Sequence, residues 1–309
     1  MALFRDIEAF RKAAPRSVIA IGNFDGIHAG HRHVLDFALK LAREAGVSAA
    51  VLTFDPHPVR FFKPTTPEFA LTTLEERAIL LGLLGVEHLV ALNFDAELSS
   101  KSPKEFVDEF LVGGIDASQV LVGEGFRFGK GQAGDTKILT DLCAARGVAV
   151  YVVGLAQIDG VVVSSTRIRD AVREADFDVV RELLGRNFVV SGKVVHGDAR
   201  GRDLGYPTAN VQTEDRLLPP DGIYATWLYD DQSRYPSATY VGTRPTFDGS
   251  DRRIESFILN AEGPVDLYEH DVVVEFVGRV RADMRYESAE ALVAQMAIDV
   301  EQSKEILGV

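Results

Sequence analysis

Ser17-Val18-Ile19-Ala20-Ile21-Gly22-Asn23-Phe24-Asp25-Gly26-Ile27-His28-Ala29-Gly30-His31 reads as a buried strand, a tight turn and the start of a helix. Ser17 to Ile21 is a short apolar run rich in β-branched residues, the pattern of a strand covered on both faces. Gly22 and Gly26 bracket a turn where the backbone must bend sharply or come close to a ligand. Beyond it Leu35, Ala38, Leu39 and Ala42 recur at helical spacing. His28 and His31 are one helical turn apart, so both imidazoles can face the same way. A helix N-terminus offers free N–H donors and the positive end of the dipole, a natural seat for phosphate. Two imidazoles there can donate to phosphoryl oxygens whose charge rises during transfer.

A histidine pair by itself is more often structural. A metal centre needs more ligands than one pair on one helix supplies, and the lone Cys143 adds little. The combined pattern G-x-F-D-G-x-H-x-G-H after a strand resembles the signature of the nucleotidyltransferase superfamily, α/β proteins that place the H-x-G-H element on the ATP phosphates. With Ser164-Ser165-Thr166-Arg167-Ile168-Arg169 downstream, the chain resembles one branch, the prokaryotic bifunctional riboflavin kinase/FMN adenylyltransferase (FAD synthetase) family. The resemblance implies that His28 and His31 are catalytic and that Gly22, Asn23, Phe24 and Asp25 line the nucleotide phosphates.

The bulk numbers agree with such an enzyme. A chain of 309 residues suits two domains, and 46% hydrophobic residues support sizeable cores. With 46 acidic and 33 basic residues the net charge of −13 disfavours a nucleic-acid partner and leaves room for local basic pockets. No apolar run reaches the roughly 18–20 residues of a membrane span. Met1 to Asp6 lacks a signal-peptide layout, and Cys143 cannot form an internal disulfide, so a cytoplasmic location is expected. Cys143 falls in a helical pattern, where a buried inert thiol is expected. The expected partners are small molecules; a homo-oligomer stays open.

Ser48 to Phe54 reads as a second buried strand, followed by Asp55-Pro56-His57-Pro58-Val59-Arg60-Phe61-Phe62. Two prolines predict an irregular, stiff loop there, at a strand end where open α/β sheets bind ligands. Thr73 to Leu84 is predicted as a helix with Thr73 and Glu76 in a capping box, and Ser102-Pro103 opens another. Strands are expected at His88–Ala91, Gln119–Val122 and Val148–Val153, with a helix over Thr136–Ala145. This alternation predicts a parallel, doubly wound sheet. The glycine-rich loop Gly123 to Gly131 follows a strand, though such a loop alone is weak evidence for phosphate binding. By resemblance, His57, Phe62, Phe126, Arg127 and Phe128 contact the flavin. Gly125 departs from the family, which usually carries Asp or Asn at this position. Ser164, Ser165 and Thr166 are ordinary helix caps. Arg167 and Arg169 in the first turn are disfavoured by the dipole unless a polyphosphate intervenes. The resemblance places all five on the nucleotide phosphates.

After a helix over Asp176–Leu184 the texture changes to short alternating strands, which sets the domains at 1–185 and 186–309. A strand from Phe188 to His196 leads to Gly197-Asp198-Ala199-Arg200-Gly201-Arg202-Asp203-Leu204-Gly205-Tyr206-Pro207-Thr208-Ala209-Asn210. This reads as a loop whose amides can approach a ligand, with Thr208 and Asn210 as oxygen donors suited to Mg²⁺ and phosphate. G-x-x-x-G-R-x-L-G-x-P-T-A-N resembles the riboflavin kinase signature, with Gly201, Gly205 and Pro207 on ATP and Thr208 and Asn210 on the metal. Glu255 begins an apolar strand, a poor place for a carboxylate unless it is partnered or working. By resemblance it is the kinase base. Asn260 and Glu269 stand where the family more often has Asp and Gly. Ser288 to Leu307 is predicted as a long amphipathic helix packed on the second domain.

The fold implied is a Rossmann-like α/β nucleotidyltransferase domain followed by a small antiparallel β-barrel with a terminal helix. The activity implied is riboflavin + ATP to FMN + ADP, then FMN + ATP to FAD + pyrophosphate, with Mg²⁺ as cofactor. Two other readings compete. An H-x-G-H helix start also occurs in class I aminoacyl-tRNA synthetases, against which stand the net acidity and the lack of a K-M-S-K-S-like loop. Alternatively the second domain is a non-catalytic flavin-binding or assembly module.

Overall fold

The computed structural model describes the chain apart from residues 197–205, 207, 214, 247–248 and 261–264, and only the backbone of 244–246 and 249–251. The described chain forms two compact units, Met1–Pro67 with Thr72–Ser165, and Glu68–Leu71 with Thr166–Val309.

In the first unit the elements run β1 (Ala2–Phe4), α1 (Ile7–Ala13), β2 (Val18–Ile21), α2 (Ala29–Ala45), β3 (Ala49–Asp55), α3 (Pro58–Phe62), α4 (Leu74–Leu83) and β4 (His88–Asn93). They continue with α5 (Ala96–Ser100), α6 (Pro103–Glu105), a π-helical turn over Phe106–Val112, β5 (Gln119–Gly123), α7 (Thr136–Ala144), β6 (Ala149–Val153) and a ribbon of β7 (Gln157–Ile158) and β8 (Val161–Val162). Strands β1 to β6 form an all-parallel sheet in the order β1-β4-β3-β2-β5-β6. The alternation within β2 explains why a continuous apolar run was needed. Ile19 and Ile21 enter one core with Phe10, Leu52 and Leu111, and Val18 and Ala20 enter another with Leu35, Ala38 and Val51. A fully buried side chain of this kind contributes about 1.5–3 kcal/mol, so helices on both faces are held by β2 alone to a useful degree. From β2 the chain moves outward one way through β3 and β4, then returns to add β5 and β6 on the other side. The switch point therefore lies at the C-terminal ends of β2 and β5, where open sheets of this type bind ligands. Cys143 is buried in the first of these cores, which pushes its thiol up to about 11.

Helix boundaries follow local chemistry. Thr73 and Glu76 form the expected capping box of α4, and Gly46 closes α2 in the left-handed region. The two prolines after β3 do not leave an irregular loop: Pro58 begins the short helix α3 and His57 caps it, because proline's fixed φ suits a first helical position.

The second unit contains all but the first residue of α8 (Ser165–Glu174), then α9 (Phe177–Leu184), ending at left-handed Gly185. Strands β9 (Phe188–Val195), β10 (Thr208–Gln212), β11 (Gly222–Tyr229), β12 (Arg234–Thr246), β13 (Gly249–Ile258) and β14 (Asp271–Ala282) follow, then α10 (Ala289–Leu307). The strands close an antiparallel barrel in the order β10-β13-β12-β11-β14-β9. Val211, Ile254 and Val241 stand in one row facing its interior, as do Val190, Val274 and Leu228 at other positions. Three interior hydroxyls satisfy one another across β11, β12 and β13: Thr226 and Thr239 lie 2.6 Å apart, Thr239 and Ser256 2.9 Å. Helix α10 packs on β11, β12 and β14, as expected. Its anchor is a buried carboxylate, Asp299, which accepts 2.8 and 2.7 Å bonds from both arms of the Arg281 fork.

Candidate active sites

The turn after β2 is held by groups drawn from distant parts of the first unit. Asp25, only 3% exposed, accepts from the backbone N–H and hydroxyl of Thr72 at 2.9 and 3.0 Å. The Gly26 N–H donates to the same Thr72 hydroxyl. Buried Arg77 donates to the Asn23 carbonyl at 2.8 Å and to Thr53 at 3.2 Å. Desolvation lowers the Arg77 pKa, and the nearby Asp25 and Asp55 charges oppose that. Phe24 (φ 48°), Gly26 (φ 89°) and Ile27 (φ 44°) occupy the left-handed region. For the two non-glycine residues this costs of order 1–3 kcal/mol each, offset by burial of both side chains. Sequence reasoning missed Thr72 and Arg77. Arg77 carried a signal: it sits in the apolar stripe between Leu74 and Leu81, where a cation needs a reason.

The turn delivers the two imidazoles. His28 caps α2, its Nδ1 accepting from the His31 N–H at 3.2 Å, so the neutral ring carries its proton on Nε2. The His28 and His31 rings stack with centroids 3.6 Å apart, and Phe24 lies 5.0 Å from His31. Gly30 gives this arrangement room: a Cβ there would come 3.1 and 3.2 Å from Cε1 and Nδ1 of His28, so the ring would have to shift by a few tenths of an ångström. Gly22 likewise sits against the Phe24 ring.

Ser165, the first residue of α8, bonds to the turn after β2. The Ser165 hydroxyl donates to the Asp25 carbonyl at 2.8 Å, which ties the end of the first unit to the turn. Thr166, Arg167 and Arg169 belong to the second unit. There Arg169 donates to the Phe69 carbonyl at 2.8 Å and lies 5.2 Å over the Phe69 ring. Arg216, fully buried, donates to the carbonyls of Leu71 and Val189 and so pins the same segment, Glu68–Leu71.

The residues expected to hold a flavin fall in two places in the first unit. At the ends of β3 and β4, Phe62 is 62% exposed and packs edge-on against Phe61 and Phe94, with Phe54 beneath Phe94. His57 stands at the cap of α3 beside them. Phe94 was not foreseen, because a phenylalanine just past a strand gives no separate signal. After β5, Phe128 is buried against Phe106, Phe126 stacks on it at 5.6 Å, and Arg127 lies 3.9 Å from Asp135. A Cβ at Gly125 would meet nothing within 4 Å, so this glycine is not demanded by space.

On the barrel, Thr208 and Asn210 lie on strand β10 and not on a glycine-rich loop. They occupy alternate positions, so both face away from the interior where Val211 is buried. Glu255 lies in the middle of β13, directly opposite Asn210 in register. Tyr206 meets the Phe257 ring edge-on on the same face. Direct antiparallel neighbours have Cβ atoms about 4.5–5.5 Å apart, so an amide, a hydroxyl and a carboxylate share one face. Gly201, Gly205 and Pro207 lie outside the described residues.

Residues 10–167 match the profile of the FAD synthetase family, and residues 184–307 that of the riboflavin kinase family. Together with the parallel sheet and the closed barrel, these matches define a transferase that joins an FAD-synthetase part to a riboflavin-kinase part. Similarity extends over the whole chain. A bifunctional riboflavin kinase/FMN adenylyltransferase of Pseudomonas fluorescens is 37% identical, covering 97% of this chain and 96% of its own. One from Escherichia coli strain K12 is 32% identical, covering 100% and 98%. The chain belongs to the bifunctional riboflavin kinase/FMN adenylyltransferase family. The fold also recurs in the crystal structure of a Streptococcus pneumoniae protein described as a macrolide-efflux protein, with a TM-score of 0.85, 29% identity and 98% of each chain covered. Among the described residues here, no helix is long and apolar enough to cross a membrane.

Proposed function

We propose that the chain makes FAD in two ATP-dependent steps carried by separate residue sets, with residues 186–309 as the kinase and 1–185 as the adenylyltransferase. In the first step riboflavin is phosphorylated to FMN. Glu255 orients the terminal ribityl hydroxyl and accepts its proton as that oxygen bonds to the γ-phosphorus of ATP and the bond to ADP breaks. The observation that carries this assignment is the register pair Asn210–Glu255, which sets a base beside oxygen donors on one face. The hydroxyl of Thr208 and the amide oxygen of Asn210 fit Mg²⁺, a hard cation that prefers oxygen ligands and, when bound, neutralises charge on ATP. In the second step an FMN phosphate oxygen attacks the α-phosphorus of ATP and pyrophosphate leaves. That nucleophile is already anionic and needs no base. His28 and His31 donate to the phosphate oxygens, supported within the same unit by Ser164 and Ser165. Phe62 and Phe126 offer aromatic faces to the flavin.

Family membership leaves the tRNA-ligase and non-catalytic-barrel readings without support. The experiment is chromatography of the products from riboflavin and Mg-ATP over time. FMN should appear first and FAD after it, with ADP and then pyrophosphate. In the Asn210→Ala variant the first step should slow while FMN-to-FAD conversion persists. Accumulation of FMN without FAD would overturn the second assignment, and unchanged Asn210→Ala kinetics would overturn the first.

A further inference from the structure

The Asn210–Glu255 pair continues onto a third strand. Tyr240 on β12 stands directly opposite Glu255, so Asn210, Glu255 and Tyr240 form one transverse row over β10, β13 and β12. The flanking row, Val211, Ile254 and Val241, is buried in the barrel interior, which places the three on the outer face. Two residues further along β12, on the same face, stands Gly242. A Cβ at Gly242 would overlap the Cζ and hydroxyl of Tyr240, so the phenol lies along the strand across that glycine. Gly242 in turn pairs with Arg253, which shares the face of Glu255. The phenol thus lies along an outer strand over a glycine, with Glu255 opposite it on the neighbouring strand.

We propose that Tyr240 is a flavin-contacting residue of the kinase site, its hydroxyl donating to the polyhydroxyl chain of riboflavin and holding the terminal hydroxyl at Glu255. This rests on the assignment of Glu255 above. Burial holds the phenol above its ordinary pKa, with the Asp283, Asp221 and Glu255 charges adding to the effect and the Arg281 charge opposing it. Gly242 is then a positioning residue, since any side chain there drives the phenol off the strand.

Steady-state kinetics of both steps on the full chain test this. Tyr240→Phe removes only the hydroxyl. It should raise KM for riboflavin about three- to tenfold, the size of one lost neutral hydrogen bond, with KM for ATP and FMN adenylylation unchanged. Gly242→Ala should raise the same KM, and the effect should vanish in a Tyr240→Ala background, where no ring is left to displace. An unchanged riboflavin KM in Tyr240→Phe overturns the hydroxyl's role. Equal effects of Gly242→Ala with and without the ring overturn the positioning role. Glu255→Gln separates this from the underlying reading: it should lower turnover by about 10²–10⁴-fold while riboflavin binding, followed by flavin fluorescence, persists. If Glu255→Gln retains turnover, the base assignment fails and not the Tyr240 contact.

Discussion

In the parallel-sheet half one uninterrupted run, Gly22 to His31, carries the residues proposed above to face the phosphates. In the barrel the proposed residues come from three strands, as Asn210, Glu255 and Tyr240. The first site is assembled by local bonds: His28 caps the helix that carries His31, the rings stack, and Gly30 leaves space for them. The second is assembled by register alone, because nothing local to Glu255 dictates that an asparagine and a tyrosine will flank it. A site built by a turn is damaged by changes of shape within that turn. A site built by register is damaged by loss of single functional groups or by a slip of the barrel. The two halves therefore differ in how they should respond to substitution.

The largest effect is expected at Glu255. Glu255→Gln should lower riboflavin phosphorylation by about 10²–10⁴-fold, the usual contribution of a general base, and leave FMN adenylylation unchanged. Loss of both activities in a folded variant would break the idea of independent sites. His31→Ala should do the reverse, lowering adenylylation by about 10²–10³-fold, the size of one lost electrostatic donor. The check is the rate of FAD formation from FMN beside the rate of FMN formation from riboflavin.

Gly30→Ala sharpens the distinction between shape and chemistry. The added methyl would press on His28 at 3.1 Å and shift a stacked imidazole by a few tenths of an ångström. Adenylylation should fall about tenfold, since small misplacements of positioned groups are costly. Thermal stability should hold or rise, because alanine favours a helix over glycine by up to about 1 kcal/mol. A parallel loss of stability and activity would show general disruption instead. A gain of comparable size is expected from Gly125→Asn, where open space receives the new side chain. A restored hydrogen bond to an anionic ligand, about 1.5 kcal/mol at the low end, should raise adenylylation about tenfold. A fall would show that the loop needs its glycine for backbone freedom.

Much of the molecule was legible in its sequence, and the reason is locality. Apolar periodicity located β2 to β6 and the helices α2, α4 and α7, the Thr73–Glu76 box located the start of α4, and the glycines and histidines after β2 located the turn into α2. Each depends on residues a few positions apart, whose local preferences agree with the structure the fold adopts. Tertiary structure decided the rest. Arg169, charged and placed in a phosphate-like motif, is engaged with Phe69, and only the packing of the Glu68–Leu71 segment determines that. Thr72 and Arg77 hold the turn from far along the chain. Thr208 and Asn210 sit on a strand because barrel closure recruits them between β9 and β13. That Asn210 meets Glu255, and Glu255 meets Tyr240, follows from which alternate residues the barrel must bury. A period of two in sequence names the buried set of each strand, but only closure fixes how the strands slide against one another.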